Sequence, residues 1–94
     1  MKIRNVSHRG LRRLFLRDDP RGVAPATVDK LRKMLAFLQD MEDPSELRAL
    51  GIWRAHCLAG DRKDFWSLHV TRNWRLTFYV ARNEIVDLRL EDYH

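Results

Sequence analysis

Two histidines, His56 and His94, together with Arg75 and Tyr93, have the side-chain types to perform one reaction between them. That reaction is cleavage of RNA without a metal ion. The 2′-hydroxyl must lose a proton, the pentacoordinate phosphate must have its charge neutralised, and the 5′-oxygen must gain a proton. Groups that exchange protons near neutral pH serve the first and last steps, which singles out histidine. A guanidinium gripping two phosphate oxygens serves the middle one. The sequence closes on DLRLEDYH, so Asp92, Tyr93 and His94 put three hydrogen-bonding groups where chains usually fray and do little chemistry.

Each of these residues also has a plainer reading. His56, beside Cys57, could be a half-buried strand residue with one satisfied nitrogen. His69 could be a solvated sheet residue, and His8 could sit at a helix start. Arg75 could be the cross-strand partner of Asp87, and Tyr93 could anchor the chain end by packing. What favours chemistry is the set taken together on one surface, so the elements that carry it matter.

From Trp53 onward the hydrophobic period is two. WRAHCL, FWSLHV, WRLTFYV and EIVDLRL read as four strands joined by the short links AGDRKD, TRN and ARN, an antiparallel meander. Parity places Trp66, Leu68, Val70, Trp74, Leu76, Phe78, Val80, Val86, Leu88 and Leu90 on a core face. The outer face then carries Arg54, His56, Ser67, His69, Arg75, Thr77, Tyr79, Asp87 and Arg89, and continued alternation adds Glu91 and Tyr93. Ahead of the meander, KIRNV reads as a short opening strand and RGLRRLFL as a short helix. RDDPRGVAP is a loop broken by Pro20, Gly22 and Pro25. ATVDKLRKMLAFLQDM is the strongest helix, with Val28, Leu31, Met34, Leu35, Leu38 and Met41 at helical spacing. A further turn of helix is expected over Ser45–Leu50. A sheet this small needs a lid, so the expected fold is α+β. A short N-terminal strand and two helices pack on one face of a mainly antiparallel four-stranded meander, as one domain over residues 1–94.

The composition narrows the partners. Lys plus Arg number 18 against 13 Asp plus Glu, a net charge of +5. Residues 1–17 hold six basic side chains and no acidic one, and residues 53–82 hold six against two. Polyanions such as nucleic acid suit this balance. No apolar stretch could span a membrane, no signal peptide is visible, and the lone Cys57 forms neither a disulfide nor a zinc pattern. A cytoplasmic protein without metal or cofactor is expected.

The segment HCLAGDRKDFWSLHVTRNWRLTFYVARNEIVDLRLEDYH resembles the HigB branch of the RelE/ParE toxin superfamily. The resemblance rests on His56, the Gly60–Lys63 turn, Trp66–Ser67, Asn73–Arg75 with Phe78, and the closing Asp92–His94. It implies a RelE-like fold and a ribosome-dependent messenger RNA endonuclease, the toxin of a type II toxin–antitoxin pair. The implied partners are the ribosome with its translated messenger, a HigA-like helix-turn-helix antitoxin, and operator DNA reached through the antitoxin complex. By the same resemblance His56 transfers protons and Arg75 stabilises the transition state. Asp92, Tyr93 and His94 orient the scissile phosphate or exchange protons, with the acid and base among the histidines unassigned. Arg54, Arg62, Lys63, Arg72 and Arg89 are, by their charge, candidates to grip the RNA backbone. Many relatives carry a basic residue where this chain has Ala59. Two other functions remain open: a ParE-like DNA gyrase inhibitor and a non-catalytic RNA-binding module.

Overall fold

The computed structural model describes residues 1–92, so the expectations for Tyr93 and His94 lie outside the described residues. The chain opens with β1 (Lys2–Ile3) and α1 (Arg9–Arg17). Two 3-10 turns at Pro20–Gly22 and Pro25–Thr27 lead into α2 (Val28–Asp40) and α3 (Ser45–Leu50). The second half is β2 (His56–Cys57), a 3-10 turn at Gly60–Arg62, β3 (Trp66–His69), β4 (Trp74–Ala81) and β5 (Glu84–Asp92).

Local chemistry sets the helix ends. His8 caps α1, its Nδ1 accepting the Leu11 N–H at 3.0 Å, and burial holds the His8 pKa below the ordinary value so that this nitrogen keeps its lone pair. Asp18, in the left-handed region at φ 53°, closes the helix. Along α2 the stripe read from the sequence is buried at Leu31, Met34, Leu35, Leu38 and Met41, with Val28 packed at its margin. Leu47 of α3 adds a buried side chain that extends the two-helix lid expected from the sequence.

Gly10 lies where α1 meets the Pro20–Gly22 turn. A β-carbon on it would stand 1.9 Å from the Gly22 carbonyl oxygen. Alanine usually improves on glycine in a helix by about 1 kcal/mol, but overpacking against rigid backbone costs up to about 3 kcal/mol. Gly10→Ala is therefore expected to lower stability by about 2 kcal/mol in urea unfolding, and a raised midpoint would refute the close approach.

The sheet has five strands in the order β1-β5-β4-β3-β2. The β2–β5 meander is antiparallel as expected, while β1 joins β5 in parallel, Ile3 opposite Ile85. The Arg82–Asn83 link has positive φ at both residues, as a tight two-residue hairpin requires. The core between sheet and helices includes Leu68, Val70, Leu76, Phe78, Leu88 and Leu90. Among the described residues no helix is long and apolar enough to cross a membrane.

Two expectations from strand parity need correction. WRAHCL is not a full strand: only His56 and Cys57 pair with β3, because Trp53 and Arg54 are left-handed at φ 53° and 47° and turn the backbone. Arg54 therefore lies on a turn and not on the sheet face. In β5 the register slips by one residue at Asp87, which is left-handed at φ 53°. Asn5 clamps this bulge, donating from Nδ2 to the Asp87 carboxylate at 2.8 Å and accepting the Asp87 N–H at 3.0 Å. Beyond it Val86 pairs with Tyr79 and, although still buried, falls outside the main core cluster, where Ile85, opposite Val80, takes its place.

Candidate active site

Strand register assembles the outer face of the sheet row by row. His56 on β2 lies opposite Ser67 on β3, which lies opposite Thr77 on β4 and then Arg89 on β5. In the next row His69, Arg75 and Glu91 stand side by side. Neighbouring strands are about 4.8 Å apart. His56 and Thr77 are thus about 10 Å apart at the backbone, within reach of one substrate.

A cleft of about 180 Å³ opens over these rows, lined by Arg62, Ser67, Arg75, Thr77, Glu91 and Asp92 among others. Arg62 reaches into it from the 3-10 turn after β2 and meets Glu91 with both ends of its guanidinium. Nη1 lies 3.1 Å from Oε1 and Nη2 lies 2.6 Å from Oε2. Nη2 also donates to the Thr77 hydroxyl at 3.3 Å, and the Phe65 ring lies 4.9 Å beneath the same guanidinium. The Thr77 hydroxyl donates in turn to Glu91 Oε2. Burial pushes the Glu91 carboxyl up, but the Arg62 and Thr77 hydrogen bonds and the charges of Arg62 and Arg89 prevail and hold its pKa below the usual range.

His56 is exposed at the β2 end of its row, not half-buried. Its Nδ1 lies 2.8 Å from the Arg54 carbonyl oxygen. A carbonyl only accepts, so Nδ1 carries the hydrogen and Nε2 of the neutral ring presents its lone pair. The left-handed turn at Trp53 and Arg54 is what brings that carbonyl to the ring.

His69 differs from the solvated residue expected. It is half-buried, and burial with the charges of Lys30, Arg54 and Arg75 lowers its pKa, so it is neutral at pH 7. Arg75 lies opposite Glu91 and His69, not Asp87, which is held by Asn5 at the bulge. Asp92 ends β5 opposite Trp74 and contributes to the cleft wall.

The proposed backbone-gripping residues are scattered. Arg62 and Arg89 flank Thr77, but Lys63 precedes β3 and Arg72 follows it, so they stand at opposite ends of that strand, and Arg54 sits on its turn. The participation of Ser67, Thr77 and Glu91 in a cleft was not foreseen. Alternation did put all three on one face, and that was the available signal. Among the described residues no three His, Cys, Asp or Glu side chains come together to hold a metal ion.

Residues 4–94 match the family described as the RelE-like toxin of the type II toxin–antitoxin system HigB. The chain is 35% identical over 92 residues to the endoribonuclease HigB of Proteus vulgaris, covering 98% of this chain and 99% of that one. Among solved structures, a copper-bound mutant toxin from Helicobacter pylori shares the fold with a TM-score of 0.55 at 20% identity, covering 99% of this chain and 94% of that one. A conserved hypothetical protein from the same organism gives 0.50 at 22% identity with the same coverage.

Proposed function

The chain belongs to the HigB-like family of RelE-like toxins of type II toxin–antitoxin systems, and from that premise we propose that it is an endoribonuclease cutting translated messenger RNA on the ribosome. The observation that carries the proposal is the arginine-lined cleft on the outer sheet face, with Asp92 in its wall and His56 paired across from its Ser67.

The chemistry assigned to it is attack of the 2′-oxygen on the adjacent phosphorus. One of His56 and His94 takes the 2′-hydroxyl proton as the P–O2′ bond forms. The P–O5′ bond breaks, and the other histidine gives its proton to the departing 5′-oxygen, leaving a 2′,3′-cyclic phosphate and a 5′-hydroxyl. Arg75 neutralises the charge that builds on the phosphoryl oxygens, and Asp92 with Tyr93 orients the group. The contact of Nδ1 with the Arg54 carbonyl leaves Nε2 as the ring nitrogen turned to the proton transfer. Few acid–base groups are available, which supports a role for ribosomal RNA in holding the messenger in an attack geometry. Arg62, Arg89, Arg54, Lys63 and Arg72 supply positive charge towards the RNA backbone.

A type II toxin is held by a protein antitoxin. The partner proposed here is a HigA-like helix-turn-helix protein, through which the complex would reach operator DNA. Action on translating ribosomes places the chain in the cytoplasm.

Primer extension on total messenger RNA after a brief induction tests the proposal. Cuts within translated codons are expected. Growth arrest with intact messages would sink it and favour gyrase inhibition, and neither arrest nor cuts would favour a binding module.

Ala59 precedes the Gly60–Arg62 turn and is exposed. It cannot grip phosphate, and Arg62, three residues on, is engaged with Glu91. Ala59→Lys is expected to raise cleavage on purified ribosomes about fivefold, the upper end of what an exposed ion contact contributes. No gain would remove this position from the mechanism.

A further inference from the structure

We propose that Glu91 is an internal competitor for the seat of the scissile phosphate, so that Arg62 changes partner when RNA enters the cleft. The anion's identity rests on the nuclease function proposed above, while the exchange rests on the cleft itself.

Four features of the cleft point this way. Arg62 holds the Glu91 carboxylate through two roughly parallel contacts, at 3.1 and 2.6 Å, and a guanidinium fork accepts phosphate oxygens in the same manner. The Thr77 hydroxyl, bonded to the same carboxylate, can donate equally well to a phosphate oxygen. Ser67, only 1% exposed, lines the cleft with its hydroxyl unpartnered among the described residues. A buried hydroxyl without a partner is uncommon and calls for an acceptor. Finally, Arg89, next to Thr77 in its row though outside the cleft lining, adds positive charge near Glu91, and its Nε is buried and unpartnered among the described residues. The donors of the site outnumber the two oxygens that Glu91 offers. A phosphodiester has two non-bridging oxygens of its own and brings ester and ribose oxygens with them.

The pair also affects selectivity. Any RNA entering must first release a charge-assisted contact, which a loosely held strand recovers poorly. A messenger fixed by other contacts arrives with its phosphate already in place and displaces Glu91 more readily. Glu91 therefore suppresses cleavage of free RNA more than cleavage on the ribosome.

The test compares the intact protein with Glu91→Gln, using inorganic phosphate as the probe and amide NMR signals of Ser67 and Thr77 as the readout. Glu91→Gln is expected to bind phosphate about five- to tenfold more tightly. Asp64→Asn makes the same charge change on an exposed residue outside the cleft lining and should have little effect. Adding Arg62→Ala to Glu91→Gln should return affinity to the starting level. Equal affinity in the intact protein and Glu91→Gln, or an equal gain from Asp64→Asn, would overturn the proposal. Should Glu91→Gln unfold, the unmodified protein still decides. Saturating phosphate must move the Glu91 side-chain carboxyl carbon signal, and shifts at Ser67 and Thr77 without it would refute the exchange. Phosphate exchange without RNA cleavage would retain this inference and defeat the nuclease proposal. Cleavage without any exchange would do the reverse.

Discussion

A chain ending at Glu91 is expected to leave translated messages uncut while keeping its fold. Removing residues 92–94 takes away Asp92 and, by the proposed mechanism, the orienting Tyr93 and one of the two proton-transfer histidines. Single acid–base groups contribute about 10²–10⁴-fold each, and groups acting as a unit lose most of their effect together. A fall of about 10³-fold or more is therefore expected. Stability should change little, because β5 keeps its pairs from Arg75–Glu91 through Ala81–Glu84 and Asp92, the one described residue removed, is exposed and outside the core. The shortened chain places a new terminal carboxylate beside Arg75, so a second variant is needed. Asp92→Asn, Tyr93→Phe and His94→Ala combined keep the length and should be equally inactive in primer extension. Cleavage by either variant at the level of the full chain would move the proton chemistry away from these residues.

The sequence made the sheet legible because alternation over four strands is a strong signal. It located the core side of Leu68, Leu76, Phe78 and Leu88 and the shared outer side of Ser67, Arg75, Thr77 and Glu91. What it could not deliver were the places where single residues leave the regular backbone. Trp53 and Arg54 take left-handed angles that cost about 1–2 kcal/mol each, and nothing in their residue types announces it. Yet that turn brings the Arg54 carbonyl to His56. The bulge at Asp87 left a trace, since Ile85 and Val86 are adjacent apolar residues in a run that otherwise alternates. Only the Asn5 clamp, 82 positions away in sequence, shows which of the two faces the core. The Arg62–Glu91 pair is illegible for the same reason, spanning 29 positions and depending on where a 3-10 turn aims one side chain. Regular elements were readable. The contacts that tune the cleft are long-range.

His56→Ala is expected to lower the rate of messenger cleavage by about 10²–10⁴-fold, and His69→Ala by less than about tenfold, although both histidines belong to the outer face. The difference follows from their surroundings. His56 is exposed, its Nδ1 fixed by a backbone carbonyl, so Nε2 is oriented and open to substrate. His69 is half-buried beside Arg75, and three cations near it oppose its protonation. It can support the position of Arg75 but is poorly placed to trade protons with an RNA hydroxyl. Imidazole supplied in solution gives a readout that separates chemistry from positioning. The gap left by His56→Ala opens to solvent, so added imidazole should restore part of the rate in a single-turnover ribosome assay. A histidine that only held its neighbours would not be replaced in this way. If His56→Ala cut normally and His69→Ala did not, the proton-transfer role would pass to His69. If both cut normally, the outer sheet face would lose its claim to the proton-transfer chemistry.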